Sequence, residues 1–581
     1  MLDCSVSGAP ITPRVTEANV DELHSHTGET VAESTPSTLR KPRGFHPWEA
    51  IDYFVARHSS LLAFLIIVVL VILAWHHRFV QDDAFISFRY AKNLIDGKGL
   101  TWNAGERVEG YTNFFWTLLI AAGMDFGMDP VVWSEILGMS CFIITLVATY
   151  SIAVRLFGKR SESLLAIVLL GTNYTFICYA TGGLETQLQA MLCAVAAYMT
   201  MRTERASMPI WSTALLSVVL SVAMLTRLDS SIFCFIFFAA ALATLIRKES
   251  ESRHRQVLQS VALILPLLLI VGTWFTWKLA YYGNILPNTY FIKASSDTSL
   301  GRGLNFLYIF FKSYIFWPFA FLFFYGGREI LRAGRRSILL MSWIVLLWMA
   351  YTVKVGGDFM EFRFLVPVLP FFFIILTWLL FTTLQIRLLR LAGVLFVLYG
   401  SFHHAESFRY TLDDRIEPIA DLQGHLYDPD QHWVAIGQTL GEAFGKDPSV
   451  TIATTAAGAI PYYSSLRAVD MLGLNDTWVA RNGVLISSVP GHQRIAPMEY
   501  LLERNVNLVI SHPLVLPLET TSTQLPMLPA VIPGRSVSYR VIEIPLDDHY
   551  KFVALYLHPH PAVDAAIGRN GWTVREISGQ K

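Results

Sequence analysis

The sequence predicts a multi-pass α-helical membrane protein of about eleven spans that ends in a soluble α/β domain. Three observations carry that expectation. The 581 residues are 53% hydrophobic and 15% charged, against about 25% charged in a soluble domain. Apolar runs long enough to cross a bilayer recur from Leu61 to residue 404. From residue 405 the composition turns aqueous and helical patterns alternate with strand patterns. An ordinary soluble enzyme is excluded. Lys plus Arg and Asp plus Glu both number 45, so no basic surplus exists to neutralise phosphates, and nucleic acid is not an expected partner. Of the five cysteines, Cys141, Cys178, Cys193 and Cys234 lie in apolar runs and Cys4 in the tail. No disulfide framework or Cys/His metal spacing follows.

Taken in order, residues 1–55 are rich in Ser, Thr, Glu and Pro and read as a disordered cytoplasmic tail. A transmembrane module over 56–404 follows, with spans expected at 60–79, 132–156, 163–180, 186–201, 211–226, 230–247, 257–280, 305–326, 337–353, 364–384 and 391–404. The first span sits behind some sixty residues and reads as an uncleaved anchor. Phe114–Met124 is too short to cross and is expected to lie along the outer surface. Orientation comes from basic residues. With the N-terminus inside, the inner loops hold fourteen Lys and Arg, such as Arg328, Arg332, Arg387 and Arg390. The four short outer loops hold five, and the long first outer loop, 80–131, adds four. An odd number of spans puts the 405–581 domain outside. Within it a helix near His432–Phe444 precedes a strand at Val450–Thr454, and Tyr500–Glu503 leads into a strand at Val506–Ser511.

This topology places every chemically unusual segment on one outer face: 81–113, 181–186, 226–229, 281–294 and 355–363. Asp82 and Asp83 open a helix carrying the apolar stripe Ala84, Phe88, Ala91 and Ile95. They read either as helix N-terminal caps or as an acid pair in which one carboxylate takes a proton from an attacking hydroxyl. Glu106, Arg107 and Glu109, between Trp102 and Tyr111, form either a solvated loop or a sugar contact. Glu185, Asp229, Asp358 and Glu361 sit at outer helix ends with Arg227, Lys293 and Arg363, a set suited to a cleft holding a phosphate at the membrane surface. Arg89, Tyr111 and Asn113, and Asn288 after Pro287, complete the substrate-binding candidates. Lys312, inside a span, either snorkels or meets a lipid phosphate. Tyr462-Tyr463, near a strand end, is an expected acceptor contact. The acid pair leaves a divalent cation, Mg²⁺ or Mn²⁺, open, and no other cofactor is expected.

QDDAFISFRYAKNL, NAGERVEGYTNFFW, ATGGLETQL, GNILPNTYFIKA and VGGDFMEFRFLVPVLP, in this order, with VDMLGLND (469–476) and PGHQR (490–494), resemble the GT-C class of integral-membrane glycosyltransferases. Their likeness is greatest to bacterial relatives of the terminal arabinofuranosyltransferases, and extends to the protein mannosyltransferase and aminoarabinose transferase group. The resemblance spans residues 60–510. It implies transfer of a sugar, a pentose such as arabinofuranose or a hexose, from a polyprenyl-phosphate carrier to a cell-envelope glycan, lipid or protein. It also implies a bacterial inner-membrane location and an acceptor-deprotonating role for Asp82, with Asp83 beside it. TRLD departs from the TRPDG common in such proteins, lacking both Pro and Gly. The alternatives are a transporter or flippase of lipid-linked sugars and a non-catalytic membrane scaffold. Transporters place ionisable groups near mid-bilayer, whereas these acids cluster at outer helix ends.

Overall fold

The computed structural model describes residues 47–203, 208–247, 251–293, 299–332, 336–412, 414–445, 447, 449–520 and 538–578. Most of the expected tail therefore lies outside the described residues. The chain divides into two compact units, residues 1–57 and residues 58–581.

The helical module runs α1 (Pro47–His76), α2 (Asp82–Ile95), α3 (Phe114–Asp125), α4 (Pro130–Phe157), α5 (Arg160–Gly171), α6 (Tyr174–Cys178), α7 (Thr186–Thr203) and α8 (Ile210–Thr226). It continues through α9 (Ser231–Ile246), α10 (Arg253–Tyr282), α11 (Asn288–Lys293), α12 (Ser299–Ser313), α13 (Trp317–Arg332), α14 (Arg336–Lys354), α15 (Leu369–Thr383) and α16 (Arg387–Ser407). All eleven expected spans are helical, but they are not eleven equal crossings. Among the described residues seven helices are individually long and apolar enough to cross a membrane, and α12 with α13 makes an eighth if counted as one span.

Two expected spans are broken. The run 305–326 bends by 106° between α12 and α13, where Ile315 takes φ 54° and Pro318 starts the new helix at its second position, a place proline favours. The run 163–180 stops at Gly171. Asn173 then caps α6 by accepting the Phe176 N–H at 3.0 Å.

Packing follows polarity. Twelve consecutive residues of α15, Leu369 to Leu380, are buried, as expected of a helix apolar on all sides. Leu265, Leu268 and Leu269 of α10 and Phe64, Val69 and Ile72 of α1 remain exposed, the apolar surface a helix turns to lipid. The last span is tied in by a buried contact between His404 Nε2 and Glu361 Oε1 at 2.8 Å.

The C-terminal region adds α17 (Ile419–Tyr427), α18 (Trp433–Phe444), β1 (Thr451–Thr454), α19 (Ala459–Ser464), β2 (Arg467–Asp470), α20 (Thr477–Asn482), β3 (Val484–Leu485), β4 (Arg494–Ile495), α21 (Met498–Glu503), β5 (Leu508–Pro517), β6 (Ser538–Pro545), β7 (Tyr550–Tyr556), α22 (Pro561–Asn570) and β8 (Thr573–Ser578). One six-stranded sheet has the order β2-β1-β5-β7-β6-β8. Its first three strands are parallel and the rest antiparallel. The helix and both strands expected here are present.

α2 is packed between this domain and the helical module, where Ala84 and Phe88 lie against Gly183; Ala84, Phe88 and Ala91 are fully buried, while Ile95, at the far end of the stripe, is 38% exposed. Arg89 fastens the two layers. Its guanidinium donates to the carbonyls of Trp102 (2.7 Å), Leu466 (2.7 Å) and Pro461 and to Asn103 Oδ1 (3.1 Å). Burial lowers its pKa to about 9, with Tyr90 and Glu106 opposing.

Candidate active site

Asp82 begins α2 directly after Gln81, whose extended backbone (φ −127°, ψ 162°) forms the N-cap without a side-chain capping bond. Asp82 does not cap its own helix either. Its Oδ1 accepts the Ala459 N–H at 2.7 Å and its Oδ2 the Gly458 N–H at 3.0 Å, 377 and 376 residues along the chain. The acid is thus held by the loop before α19 in the opposite layer. Burial pushes its pKa up to about 7; the Ala459 N–H opposes this and the neighbouring Asp83 charge adds to it. Asp83 lines the same wall.

Only glycine fits at 458. A Cβ there would overlap the Asp82 carbonyl oxygen and sit 2.7 Å from the Asp82 Cγ. Gly458→Ala should therefore displace the acid or the loop, at about 1–3 kcal/mol of overpacking cost. The expected result is a lower melting midpoint in detergent together with lost activity; an unchanged midpoint would show that the loop yields freely.

Gln81, Asp82, Asp83 and Arg363 form one side of a cavity of about 240 Å³, and the strand-bearing domain forms the other. There His425 stacks on Trp433 with ring centres 4.5 Å apart and planes at 10°. Its Nε2 lies 3.5 Å from Glu417 Oε2 and its Nδ1 meets Gln431. Burial lowers the His425 pKa, but Glu417 and Gln431 outweigh it, and the net shift is upward. His512 stands edge-on to Trp433 and His492 edge-on to Phe359.

A second cavity of about 430 Å³ shares Pro490 with the first, and the chain neighbours Arg363 and Phe364 line the first and the second respectively. Arg227, Asp229, Tyr351 and Lys354 give it charge and hydroxyl groups, and the exposed Leu286 and Tyr290 give it an apolar rim. Arg227 is held at 2.7 Å by both Glu185 and Asp229. Glu185 also accepts from Asn113 at 2.7 Å, and Arg363 pairs with Asp358 at 2.7 Å. Expected candidates from four of the five unusual segments are therefore brought together: Asp82, Asp83, Asn113, Glu185, Arg227, Asp229, Asp358 and Arg363.

Others stand elsewhere. Glu106 pairs with Arg467 and Arg504 at 2.6 Å, and Arg107 lies over the Tyr281 ring. Glu109 pairs with the buried Lys278 at 2.9 Å, and Tyr111 bonds Tyr282. Asn288 donates to the Gly473 carbonyl at 2.8 Å. With Arg89, these residues join layers or spans and line neither cavity. Lys293 ends α11, and its side chain falls outside the described residues. Tyr462 and Tyr463 pack on Phe85 at the layer interface rather than on a cavity wall. Lys312 lies over the Tyr308 ring.

Sequence reasoning missed Gln81, Trp433, Tyr351 and the three cavity histidines. Two of them had a signal, Gln81 as the first residue of QDDAFISFRYAKNL and His492 in the PGHQR segment. For a divalent cation the acid pair offers two carboxylates, and among the described residues no group of three or more His, Cys, Asp and Glu is placed to hold a metal ion. This donor set does not amount to a protein-built cage.

A family model described as a domain of unknown function (DUF8728) matches residues 421–574. The chain is 27% identical over 344 residues to a terminal β-(1→2)-arabinofuranosyltransferase of Corynebacterium glutamicum, covering 52% of this chain and 48% of that protein. It is 24% identical over 346 residues to the protein of the same name from Mycobacterium tuberculosis, covering 50% and 51%. The chain thus spans about half the length of the curated relatives it matches. The apo structure of ArnT from Cupriavidus metallidurans superposes with a TM-score of 0.51 at 14% identity, over 87% of this chain and all of that one. The chain therefore has the GT-C fold, a multi-pass membrane helical module with a C-terminal strand-containing domain.

Proposed function

We propose that this chain is a glycosyltransferase that moves a sugar, a pentose such as arabinofuranose or a hexose, from a polyprenyl-phosphate carrier to a hydroxyl of a cell-envelope acceptor. The reaction takes place on the membrane face that bears the strand-containing domain. That face is the outer one, with the N-terminus cytoplasmic and residues 405–581 periplasmic, as the basic inner loops favour. The observation that carries the reading is the half-buried Asp82, its pKa raised, beside Asp83 on the wall of one cavity that adjoins a second with an exposed apolar rim. The names of the curated relatives and the GT-C fold support it.

The two cavities divide the substrates. The second receives the carrier phosphate, with Lys354 and Arg227 as its cations and Leu286 and Tyr290 against the first prenyl units. The first receives the acceptor. Asp82 takes the proton of the attacking hydroxyl, the oxygen bonds to the sugar anomeric carbon, and the bond from that carbon to the phosphate oxygen breaks. Polyprenyl phosphate leaves with the electron pair, and Arg363, between the cavities, faces the charge it gains. The two backbone N–H bonds fix the direction of the Asp82 carboxylate and leave the base no rotamer to search.

A base with a pKa of about 7 sets the pH dependence. Transfer should fall about tenfold per pH unit below 7, as Asp82 takes up a proton. The stability contribution has the opposite sense. A carboxyl raised on folding favours the native state most below its ordinary value of 3.8, and that contribution is lost as pH rises through about 7. Purified protein in proteoliposomes, given polyprenyl-phosphate pentoses and hexoses, should release free polyprenyl phosphate in step with glycosylated product along this limb. A rate flat from pH 5 to 8 would remove Asp82 from the mechanism.

A further inference from the structure

Gln81 is 1% exposed, and neither its Oε1 nor its Nε2 has a hydrogen-bond partner among the described residues. It makes no capping bond to α2. A buried amide left in this condition costs free energy, and Gln81 lines the acid-pair cavity next to Asp82 in the chain. Across the same cavity the Nδ1 of His492 is buried and makes no close hydrogen bond among the described residues, while the imidazole interacts with the Pro490 backbone and stands edge-on against Phe359 at 4.8 Å. Two residues on elements 411 residues apart thus line one space of about 240 Å³, and the Gln81 amide behind its wall keeps its donors and acceptor unspent. An amide offers an acceptor and two donors, and a neutral imidazole nitrogen offers one role more. That set matches a hydroxyl-bearing ring, since each sugar hydroxyl both donates and accepts. It does not match an anion, because an anion needs donors alone.

We propose that Gln81, with His492, is a specificity-determining contact that binds a hydroxyl of the acceptor sugar neighbouring the one facing Asp82. This rests on the transferase reading for the identity of the cavity as the acceptor site, but its test does not require turnover. Neither side chain takes part in bond making. Each selects which ring position is presented to the base.

The test is equilibrium binding to the full-length protein in nanodiscs without donor. The probes are octyl α-arabinofuranoside and octyl α-mannopyranoside, each with its complete set of monodeoxy analogues. In wild type, removing one particular hydroxyl from one of these glycosides should weaken binding about tenfold, the cost of leaving a buried amide unpaired. In Gln81→Ala that penalty should shrink to less than twofold, with the melting midpoint unchanged or raised because an unpartnered amide has been removed. His492→Phe, which keeps the ring against Phe359 and lacks Nδ1, should reduce the same penalty or that of the adjacent hydroxyl. A full penalty retained in both variants, or no binding of either glycoside to wild type, would overturn the proposal. A Gln81-dependent penalty in a protein that transfers no sugar would retire the transferase reading and leave the subsite standing.

Discussion

Asp82→Asn should lower transfer by about 10²–10⁴-fold, the usual contribution of a positioned general base, while Asp83→Asn should keep most of its rate above pH 8. The asymmetry comes from the geometry. Asp82 is the carboxylate fixed by Gly458 and Ala459, whereas Asp83 acts on it by charge and raises its pKa. Removing the Asp83 charge should therefore move the acid limb to lower pH. The asparagine at 82 also has a structural cost. It presents one oxygen to two N–H donors, leaving one of them facing an amide NH₂, at about 1–3 kcal/mol. The variant should melt somewhat below wild type and still elute as a folded protein. A rate loss under tenfold, measured on folded protein above pH 8, would transfer the base role to another group.

Arg89→Ala should destabilise the folded chain by about 3–5 kcal/mol, the range for removing one member of a buried polar network. Four oxygens lose the Arg89 donor together, those of Trp102, Pro461, Leu466 and the Asn103 side chain, although Trp102, Pro461 and Asn103 keep a second donor each. Two of them belong to the strand-bearing domain, so the damage falls on the contact between layers. Limited proteolysis should then cut residues beyond 405 in the variant under conditions that spare wild type. Arg89→Lys should be only partly better, since one ammonium has three donors and cannot reproduce the planar fork. Equal protease resistance in all three proteins would show that the remaining contacts, the Glu106–Arg467–Arg504 cluster and the Asp82 and Asn288 bonds among them, hold the layers without Arg89.

Much of this arrangement was legible in the sequence. Apolar runs had to become helices because no backbone polar group is left unpaired in lipid. Basic residues on alternate loops were enough to place 81–113, 181–186, 226–229, 281–294 and 355–363 on a common face, where Glu185 meets Arg227 and Asp82 meets Gly458. What the residues do on that face was less legible. Glu106 and Glu109 are three apart in one loop, yet Glu106 turns to the strand-bearing domain and Glu109 to Lys278 in a span, because their partners are distant in sequence. Likewise Gln81, His425 and His492 meet in one cavity from segments with no shared motif. The break after Ser313 was hidden because both of its flanks are apolar. Only Pro318 marked it.

Mass spectrometry of products made by purified wild type and Asp82→Asn distinguishes sugar transfer with Asp82 as base from transport of the carrier. Both proteins would be incubated with polyprenyl-phosphate pentoses and hexoses and with membrane glycan acceptors. Wild type should yield an acceptor heavier by one sugar residue together with free polyprenyl phosphate, and Asp82→Asn should yield neither above background. Labelled carrier crossing the bilayer with no covalent product would make the protein a transporter, and equal product from both proteins would remove Asp82 as the base.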